Sequence, residues 1–233
     1  MPPGERPLLV LFDIDGTLMR RPGPHHRRAL ERAVLEVTGL YATTDHIPLH
    51  GMLDPDILAC MMRNAGASQA LIRRSLRRIG ERAQDIYLEG GPSLVRKVCP
   101  GVRRLLRALQ RAGVSLGIVT GNFPRIGWAK LERAGLKSYF PFGAFAGMGR
   151  TRGQLVRIAL REARRRGFAP RQACAWLVGD SGSDVQAARE NRIGSVAVCT
   201  GVLTRDELAA WRPDLLLEDL TQLDVATLWD QAA

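Results

Sequence analysis

The chain has 233 residues, 45% of them hydrophobic and 24% charged, which is enough to bury a large core as one domain or a domain with an insertion. No apolar stretch approaches the roughly 20 residues of a membrane span, and the four cysteines form no C-x-x-C pair. These features argue against a membrane partner, a zinc ribbon and a disulfide scaffold, and we expect a cytoplasmic protein, while the net charge of +11 favours anionic ligands.

Short apolar runs alternate with longer segments of helical period along most of the chain. The predicted strands are residues 8–12, 114–119, 143–146, 174–179, 195–199 and 214–217. The predicted helices between them are residues 101–112, 124–134, 153–166 and 183–190. Repeated strand–helix–strand units predict an α/β fold in which helices cover both faces of a parallel sheet. Such sheets bind ligands at the carboxyl ends of their strands.

About eighty residues after the first strand break this alternation. Three segments there have apolar residues at helical spacing, namely 30–37, 54–66 and 68–89. We therefore expect an all-helical insertion, with glycine- and proline-containing hinges at 20–24 and 90–92. The predicted domains are a core of residues 1–18 and 95–233 and an inserted helical cap of residues 19–94.

Polar side chains follow the carboxyl ends of several predicted strands. The first strand ends in Asp13 and Asp15, which share one face because successive side chains of a strand alternate. Since like charges at this spacing repel, a cation, a shared proton or solvent exposure has to compensate them. The later strand ends add further groups, namely Thr120, Gly121, Asn122, Arg150, Arg152, Asp180 and Asp184.

Carboxylates, a hydroxyl and an arginine at one sheet edge indicate a site for a phosphate and a divalent cation. Asp13 is the candidate nucleophile, because a carboxylate is ionised near neutral pH and needs no helper base. Asp15 is the candidate general acid and base. A hard cation such as Mg²⁺ would offset the repulsion between a carboxylate and a phosphate. The candidate metal residues are Asp13, Asp15, Asp180 and Asp184.

The loops around these acids are the predicted phosphate-binding elements. Gly16 lets backbone N–H groups approach the phosphate closely, and the Thr120 hydroxyl donates to a phosphoryl oxygen. Arg152 supplies positive charge where negative charge accumulates during transfer. The predicted substrate-binding residues are Gly16, Thr120, Gly121, Asn122 and Arg152, and we predict catalytic roles for Asp13, Asp15, Thr120 and Arg152.

These motifs resemble, in order, the four motifs of the haloacid dehalogenase-like hydrolase superfamily. The matching segments are DIDGTL at 13–18, Thr120, the basic residue before the helix at 153, and GDSGSD at 179–184. The helical insertion occupies the cap position of phosphoglycolate phosphatase-like members, to which residues 50–58, 100–113 and 130–140 are also similar. The resemblance implies a Rossmann-like core, an aspartyl-phosphate intermediate, Mg²⁺ dependence and Asp15 as acid and base.

One position departs from the family pattern. The third motif usually carries lysine, but the three lysines of the chain all precede that loop, at Lys97, Lys130 and Lys137. Arg152 is in the better register to replace it, and Arg150 is the alternative. The four histidines have no metal-ligand spacing and are interpreted as cap or surface residues. Asp54 either faces the site or caps the next helix.

The sequence thus predicts a Mg²⁺-dependent phosphatase of a small phosphorylated metabolite, with phosphoglycolate-like monoesters as the leading substrates. A phosphomutase of the same superfamily would use the same aspartates. A basic nucleic-acid- or anion-binding protein is the non-enzymatic alternative, because arginine clusters occur at 73–78 and 161–166. Nucleic acid is not the expected partner, since these clusters follow amphipathic helical patterns and aromatic residues are few.

Overall fold

The computed structural model describes residues 7–20, 23–169 and 173–230, and it contains one parallel sheet of six strands. The strands are β1 (Leu8–Phe12), β2 (Ser115–Val119), β3 (Gly143–Ala144), β4 (Cys174–Gly179), β5 (Gly194–Val198) and β6 (Leu215–Leu217). Their order is β3-β2-β1-β4-β5-β6, so the direction of the chain across the sheet reverses beside β1. This reversal opens a crevice at the carboxyl ends of the central strands, where open α/β sheets bind ligands.

The three central strands end in register. Phe12, the last residue of β1, pairs with Ile118 of β2 on one side and with Val178 of β4 on the other. The residues that follow these strands therefore emerge at the same edge of the sheet. This register gives the predicted strand-end residues a common location.

Nine α-helices are assigned in the described part of the chain. They are α1 (His25–Thr38), α2 (Asp54–Asn64), α3 (Gln69–Leu88), α4 (Val102–Arg111), α5 (Pro124–Arg133), α6 (Arg152–Arg165), α7 (Gly182–Glu190), α8 (Arg205–Ala209) and α9 (Val225–Asp230). The sequence did not predict α8 and α9, which are each one or two turns long. A capping box of Thr204 and Glu207 starts α8 and was a missed signal. None of the described helices is long and apolar enough to cross a membrane.

Both faces of the sheet are buried, as the parallel arrangement requires. Every residue of β1 is buried, because alternate side chains enter two different hydrophobic clusters. Leu9 and Leu11 belong to the cluster that includes residues of α6 and α7, whereas Phe12 belongs to the cluster that includes α4. The predicted α/β class with a Rossmann-like parallel sheet is confirmed.

The segment between β1 and α4 contains only helices within its described residues, in agreement with the expected insertion. Helices α1 and α3 are its main packed pair, and Leu30, Met61 and Ile79 lie in its buried interior. Helix α1 begins at His25, five residues earlier than the sequence indicated. The domain bounds stay a prediction, and residues 21 and 22 of the predicted hinge at 20–24 lie outside the described residues.

The arginine clusters lie on exposed helix faces. Arg73, Arg74, Arg77 and Arg78 of α3 are exposed, while Ile72 and Ile79 of the same helix are buried. The cluster on α6 has the same amphipathic arrangement. The basic charge is therefore largely at the surface, as the helical pattern predicted.

Candidate active site

The residues predicted to form a site converge on one cavity between the sheet edge and the helical insertion. Its volume is about 400 Å³, within the range of small-molecule sites. Asp13 follows β1, Thr120 follows β2 and Asp180 follows β4, and all three line this cavity. The predicted residues Asp15, Gly16, Gly121, Asn122 and Arg152 line it as well.

Three buried carboxylates form a cluster, two of which, Asp13 and Asp180, line the cavity. One oxygen each of Asp13, Asp180 and Asp184 lie within 4.8 Å of one another. Asp184 enters from the first turn of α7, and its Oδ1 atom is buried without a hydrogen-bond partner among the described residues. A compact set of hard oxygen ligands with an unsatisfied buried oxygen fits a Mg²⁺ ion. The predicted metal residue Asp15 differs, because its carboxylate points to another cluster described below.

Arg152 is the basic residue that reaches the acids. Its Nη1 atom lies 3.2 Å from Oδ1 of Asp13, and its Nε atom lies 3.4 Å from Oδ1 of Asp184. The side chain is buried, and Nη1 also donates to the carbonyl of Val119 at 3.3 Å. Arg150 is exposed. Of the two arginines that the sequence left open, Arg152 therefore occupies the site.

Burial and mutual repulsion raise the pKa values of two acids of the cluster. Burial raises the pKa of Asp13 to about 6, with Arg152 opposing the rise and the charge of Asp184 adding to it. Burial and the charges of Asp13 and Asp184 raise the pKa of Asp180 well above its usual value. One guanidinium does not balance three carboxylates. A bound cation would relieve this imbalance.

Asp15 has the opposite electrostatic surroundings. Its Oδ2 atom accepts hydrogen bonds from Nζ of Lys130 at 2.5 Å and from Nδ2 of Asn122 at 2.8 Å. Burial favours the neutral acid, but the charge of Lys130 and the hydrogen bonds from Lys130 and Asn122 act together against it, and the pKa of Asp15 is lowered. Asp13 and Asp15 are thus two residues apart in the chain and belong to separate charge clusters.

The loop after β2 supplies polar groups and a contact with the insertion. Oγ1 of buried Thr120 accepts a hydrogen bond from Nδ2 of Asn122 at 2.7 Å, which leaves the hydroxyl proton for another acceptor. The carbonyl of Gly121 accepts from the backbone N–H of Asp54 at 2.8 Å. A side chain at position 121 would collide with the carbonyl of Met52. Glycine therefore lets the insertion approach this loop.

Gly16 also has a local role that the sequence did not predict. Its N–H donates to the carbonyl of Met19 at 2.8 Å, so this group is used within the loop. Its φ angle of 84° is in the left-handed region, and a Cβ atom there would collide with the carboxylate of Asp180. Glycine therefore makes room for an acid of the cluster, while remaining part of the cavity lining.

The insertion contributes a histidine and an acid to the site. Oδ2 of Asp54, the first residue of α2, accepts from the backbone N–H of Phe123 at 2.7 Å and lies 3.1 Å from Nε2 of His26. His26 thus lies in the helical insertion, in keeping with a cap residue, and its ring also contacts the site, which the sequence did not predict. Asp54 faces the core, and Leu53 is the N-cap of α2.

Lys130 was also not predicted, because it lies outside the third-motif loop, where the family usually carries its lysine. It belongs to the buried face of α5, with Ile126 four residues before it and Leu131 beside it. A lysine is seldom fully buried unless it is paired, so its position on an apolar helix face was an available signal. The same α5 face carries Gly127 and Ala129.

Comparisons with known proteins agree with this geometry. The family model for haloacid dehalogenase-like hydrolases matches residues 8–191, a range that includes every predicted site residue. A phosphoglycolate phosphatase of Pseudomonas putida is 29% identical over 229 residues, which covers 95% of this chain and 80% of the relative. A phosphoglycolate phosphatase of Synechococcus elongatus is 34% identical over 164 residues, which covers 70% of this chain and 72% of the relative.

A solved structure shares the whole fold. β-Phosphoglucomutase from Clostridium difficile aligns with a TM-score of 0.70 over 97% of both chains, at 17% sequence identity. At that identity the likeness concerns the fold. The family match extends over most of the sequence and includes all four motifs. The chain therefore belongs to the haloacid dehalogenase-like hydrolase family.

Proposed function

We propose that this protein is a Mg²⁺-dependent phosphatase that hydrolyses a small phosphate monoester through a phospho-Asp13 intermediate. The observation that carries the proposal is the buried cluster of Asp13, Asp180 and Asp184 with Arg152 against it, under a cavity of about 400 Å³. Clustered carboxylates suit a hard cation, and a buried guanidinium suits the oxygens of a phosphoryl group. The two together suit phosphoryl transfer.

In the first half of the reaction, a carboxylate oxygen of Asp13 attacks phosphorus and the bond from phosphorus to the ester oxygen breaks. The backbone N–H of Ile14, at 2.7 Å, and Arg152 both contact Oδ1 of Asp13. These contacts orient the carboxylate and leave Oδ2 for the attack. Asp13, Asp180 and Asp184 would hold Mg²⁺, and the ion would supply positive charge that offsets the repulsion between nucleophile and phosphate. Arg152 and the Thr120 hydroxyl stabilise the phosphoryl oxygens.

Asp15 moves the protons. It gives a proton to the ester oxygen as the alcohol leaves, and the resulting carboxylate then takes a proton from the water that attacks phospho-Asp13. The second attack breaks the bond between phosphorus and the Asp13 oxygen, releases phosphate and restores both acids. Asp15 lines the same cavity as Asp13 but its carboxylate pairs with Lys130, which supports this division of labour.

The helical insertion is the proposed cap, with residues 19–94 as its bounds and residues 1–18 and 95–233 as the core. Its contacts with the core loop, from Asp54 to Gly121 and Phe123, lie at the cavity itself. Closure of such a cap keeps bulk water away while the acyl phosphate forms. These contacts support the proposal that the cap forms part of the reaction site.

We propose a phosphoglycolate-like ester, which carries a carboxylate beside the phosphate, as the substrate. Several curated relatives bear the name phosphoglycolate phosphatase. Arg27 of α1 lines the cavity, and its distance of 3.8 Å to Glu31 makes that ion pair loose. Glu31 instead accepts two hydrogen bonds from Thr44, through the backbone N–H and the hydroxyl. The Arg27 guanidinium is therefore available to a second anionic group of the substrate.

The test is a phosphate-release screen over small organophosphates, with Mg²⁺ or with EDTA, for the wild type and Asp13→Asn. We expect release by the wild type with Mg²⁺ only, and a loss of at least about a thousandfold in the variant. No release from any compound, or equal release by both proteins, would overturn the proposal. Turnover of a sugar bisphosphate to its isomer without free phosphate would identify a mutase instead.

A further inference from the structure

Lys130 is a fully buried cation that the four motifs do not include. Its Nζ atom contacts Oδ2 of Asp15 at 2.5 Å, Oδ1 of Asn122 at 2.6 Å and Nδ1 of His26 at 3.1 Å. An ammonium has three donors and no acceptor, so these three contacts satisfy it completely. The side chain is therefore held in one position.

The contacts of Lys130 orient two of the predicted site residues. Because an ammonium only donates, the amide oxygen of Asn122 faces Lys130 and the amide NH₂ group faces away from it. That NH₂ group donates to Oδ2 of Asp15 and to Oγ1 of Thr120. Lys130 thus holds the Asp15 carboxylate both directly and through Asn122.

The third contact links this arrangement to the helical insertion. Nδ1 of His26 has to accept from Lys130, which places the ring proton on Nε2, beside Oδ2 of Asp54. His26 belongs to α1 and Asp54 to α2, whereas Lys130 belongs to α5 of the sheet domain. The set of partners around Lys130 is therefore complete only when the insertion lies over the cavity.

We propose that Lys130 is a positioning residue that fixes the Asp15 carboxylate for proton transfer to the leaving group. The proposal rests on the proposed function. In the step concerned, Asp13 forms its bond to phosphorus, the ester bond breaks, and the proton of Asp15 passes to the departing oxygen. Because Asp15, Asn122 and His26 occupy all three donors of the ammonium, Lys130 acts through Asp15. Replacing Lys130 should therefore lower kcat/KM most for esters whose leaving group has to be protonated.

The test compares two phosphate esters in kcat/KM, which reports the steps up to departure of the leaving group. An alkyl phosphate has a basic leaving group and needs the proton, whereas p-nitrophenyl phosphate has a good leaving group and needs it little. For Lys130→Met we expect about a hundredfold loss with the alkyl ester and less than about fivefold with the p-nitrophenyl ester. Lys137→Met is the matched control, since Lys137 is half-exposed and pairs with Glu132, and it should match the wild type on both esters.

A second comparison separates positioning from general damage. Asp15→Asn should show the same dependence on the leaving group, and adding Lys130→Met to it should cause little further loss. Equal losses on both esters, or losses that multiply in the double variant, would overturn the role of Lys130. If Lys130→Met does not fold, Lys130→Gln keeps an amide donor toward Asp15 and enters the same comparison. A wild type that hydrolyses neither ester would refute the proposed function itself.

Discussion

Replacing Asp13 by asparagine should stabilise the protein in the absence of metal, although it removes the proposed nucleophile. Asp13 is 5% exposed, and burial raises its pKa from 3.8 to about 6 even with Arg152 beside it. A carboxyl group with a raised pKa binds its proton more tightly in the folded protein than in the unfolded chain. Folding therefore becomes less favourable as pH rises from about 4 to about 6, where the unfolded chain has already lost this proton.

The size of the effect follows from the two pKa values. Each pKa unit corresponds to about 1.4 kcal/mol, so at about pH 7 the ionised Asp13 costs about 3 kcal/mol of folding free energy. At about pH 4.5 the folded protein keeps the proton, and the cost falls to about 1 kcal/mol. Asparagine is neutral at both pH values. The free energy of unfolding of the variant should thus exceed that of the wild type by about 3 kcal/mol at about pH 7 and by about 1 kcal/mol at about pH 4.5.

Urea unfolding in EDTA at the two pH values measures this difference. Asp45→Asn, at an exposed position of the helical insertion, is the matched control and should change little. Saturating Mg²⁺ should reverse the order of stability, because the wild type keeps all three clustered acids and a ligand stabilises the state that binds it. A variant that is less stable than the wild type in EDTA at neutral pH, or a difference that does not change with pH, would refute this electrostatic account.

Three further predictions concern the metal, the loop at Gly16 and the substrate. Mg²⁺ affinity, measured by the rise in melting temperature, should weaken by at least about tenfold for each pH unit below about 6, because Asp13 has to lose its proton before it can bind and the raised pKa of Asp180 makes the dependence steeper. Gly16→Ala should lose most of the Mg²⁺-dependent rise, since its Cβ would collide with the Asp180 carboxylate; a normal rise would contradict the geometry. Arg27→Gln should lower kcat/KM about tenfold for phosphoglycolate and less than about threefold for ethyl phosphate, whereas the neighbouring exposed Arg28→Gln should leave both unchanged.

The sequence predicted the sheet well because a buried parallel strand has a strong local signature. Residues 8–12 are apolar on both faces, and β1 has those bounds. The two-residue β3 was predicted twice as long, since its small and aromatic residues continue beyond the pairing with β2. The strand-end acids were predictable for a related reason. When strands are parallel and in register, their carboxyl ends lie at the same edge of the sheet. The proximity of Asp13 and Asp180 can therefore be predicted without knowledge of side-chain packing.

The residues that the sequence missed depend on helix packing across the insertion. Lys130 and His26 are 104 positions apart, and each belongs to a helix whose direction the sequence does not specify. Their contact arises because α5 and the insertion meet over the cavity. The sequence also left open whether Arg150 or Arg152 reaches the site, because it does not specify the exact residue at which α6 begins. The two arginines are two positions apart, and only the start of α6 determines which of them points at Asp13. Helix α6 begins at Arg152, whose side chain contacts Asp13.

The opposite pKa directions of Asp13 and Asp15 describe the site before its ligands bind. A nucleophile has to be ionised, yet burial raises the pKa of Asp13 to about 6; a general acid has to be protonated, yet Lys130 favours the ionised form of Asp15. The ligands correct both. A cation among Asp13, Asp180 and Asp184 favours loss of the Asp13 proton, and the negative charge of an entering phosphate opposes ionisation of Asp15. A phosphate monoester, whose second pKa is about 6, can also carry the required proton with it. Under the proposed mechanism, cation and substrate would together favour the protonation states that the reaction requires.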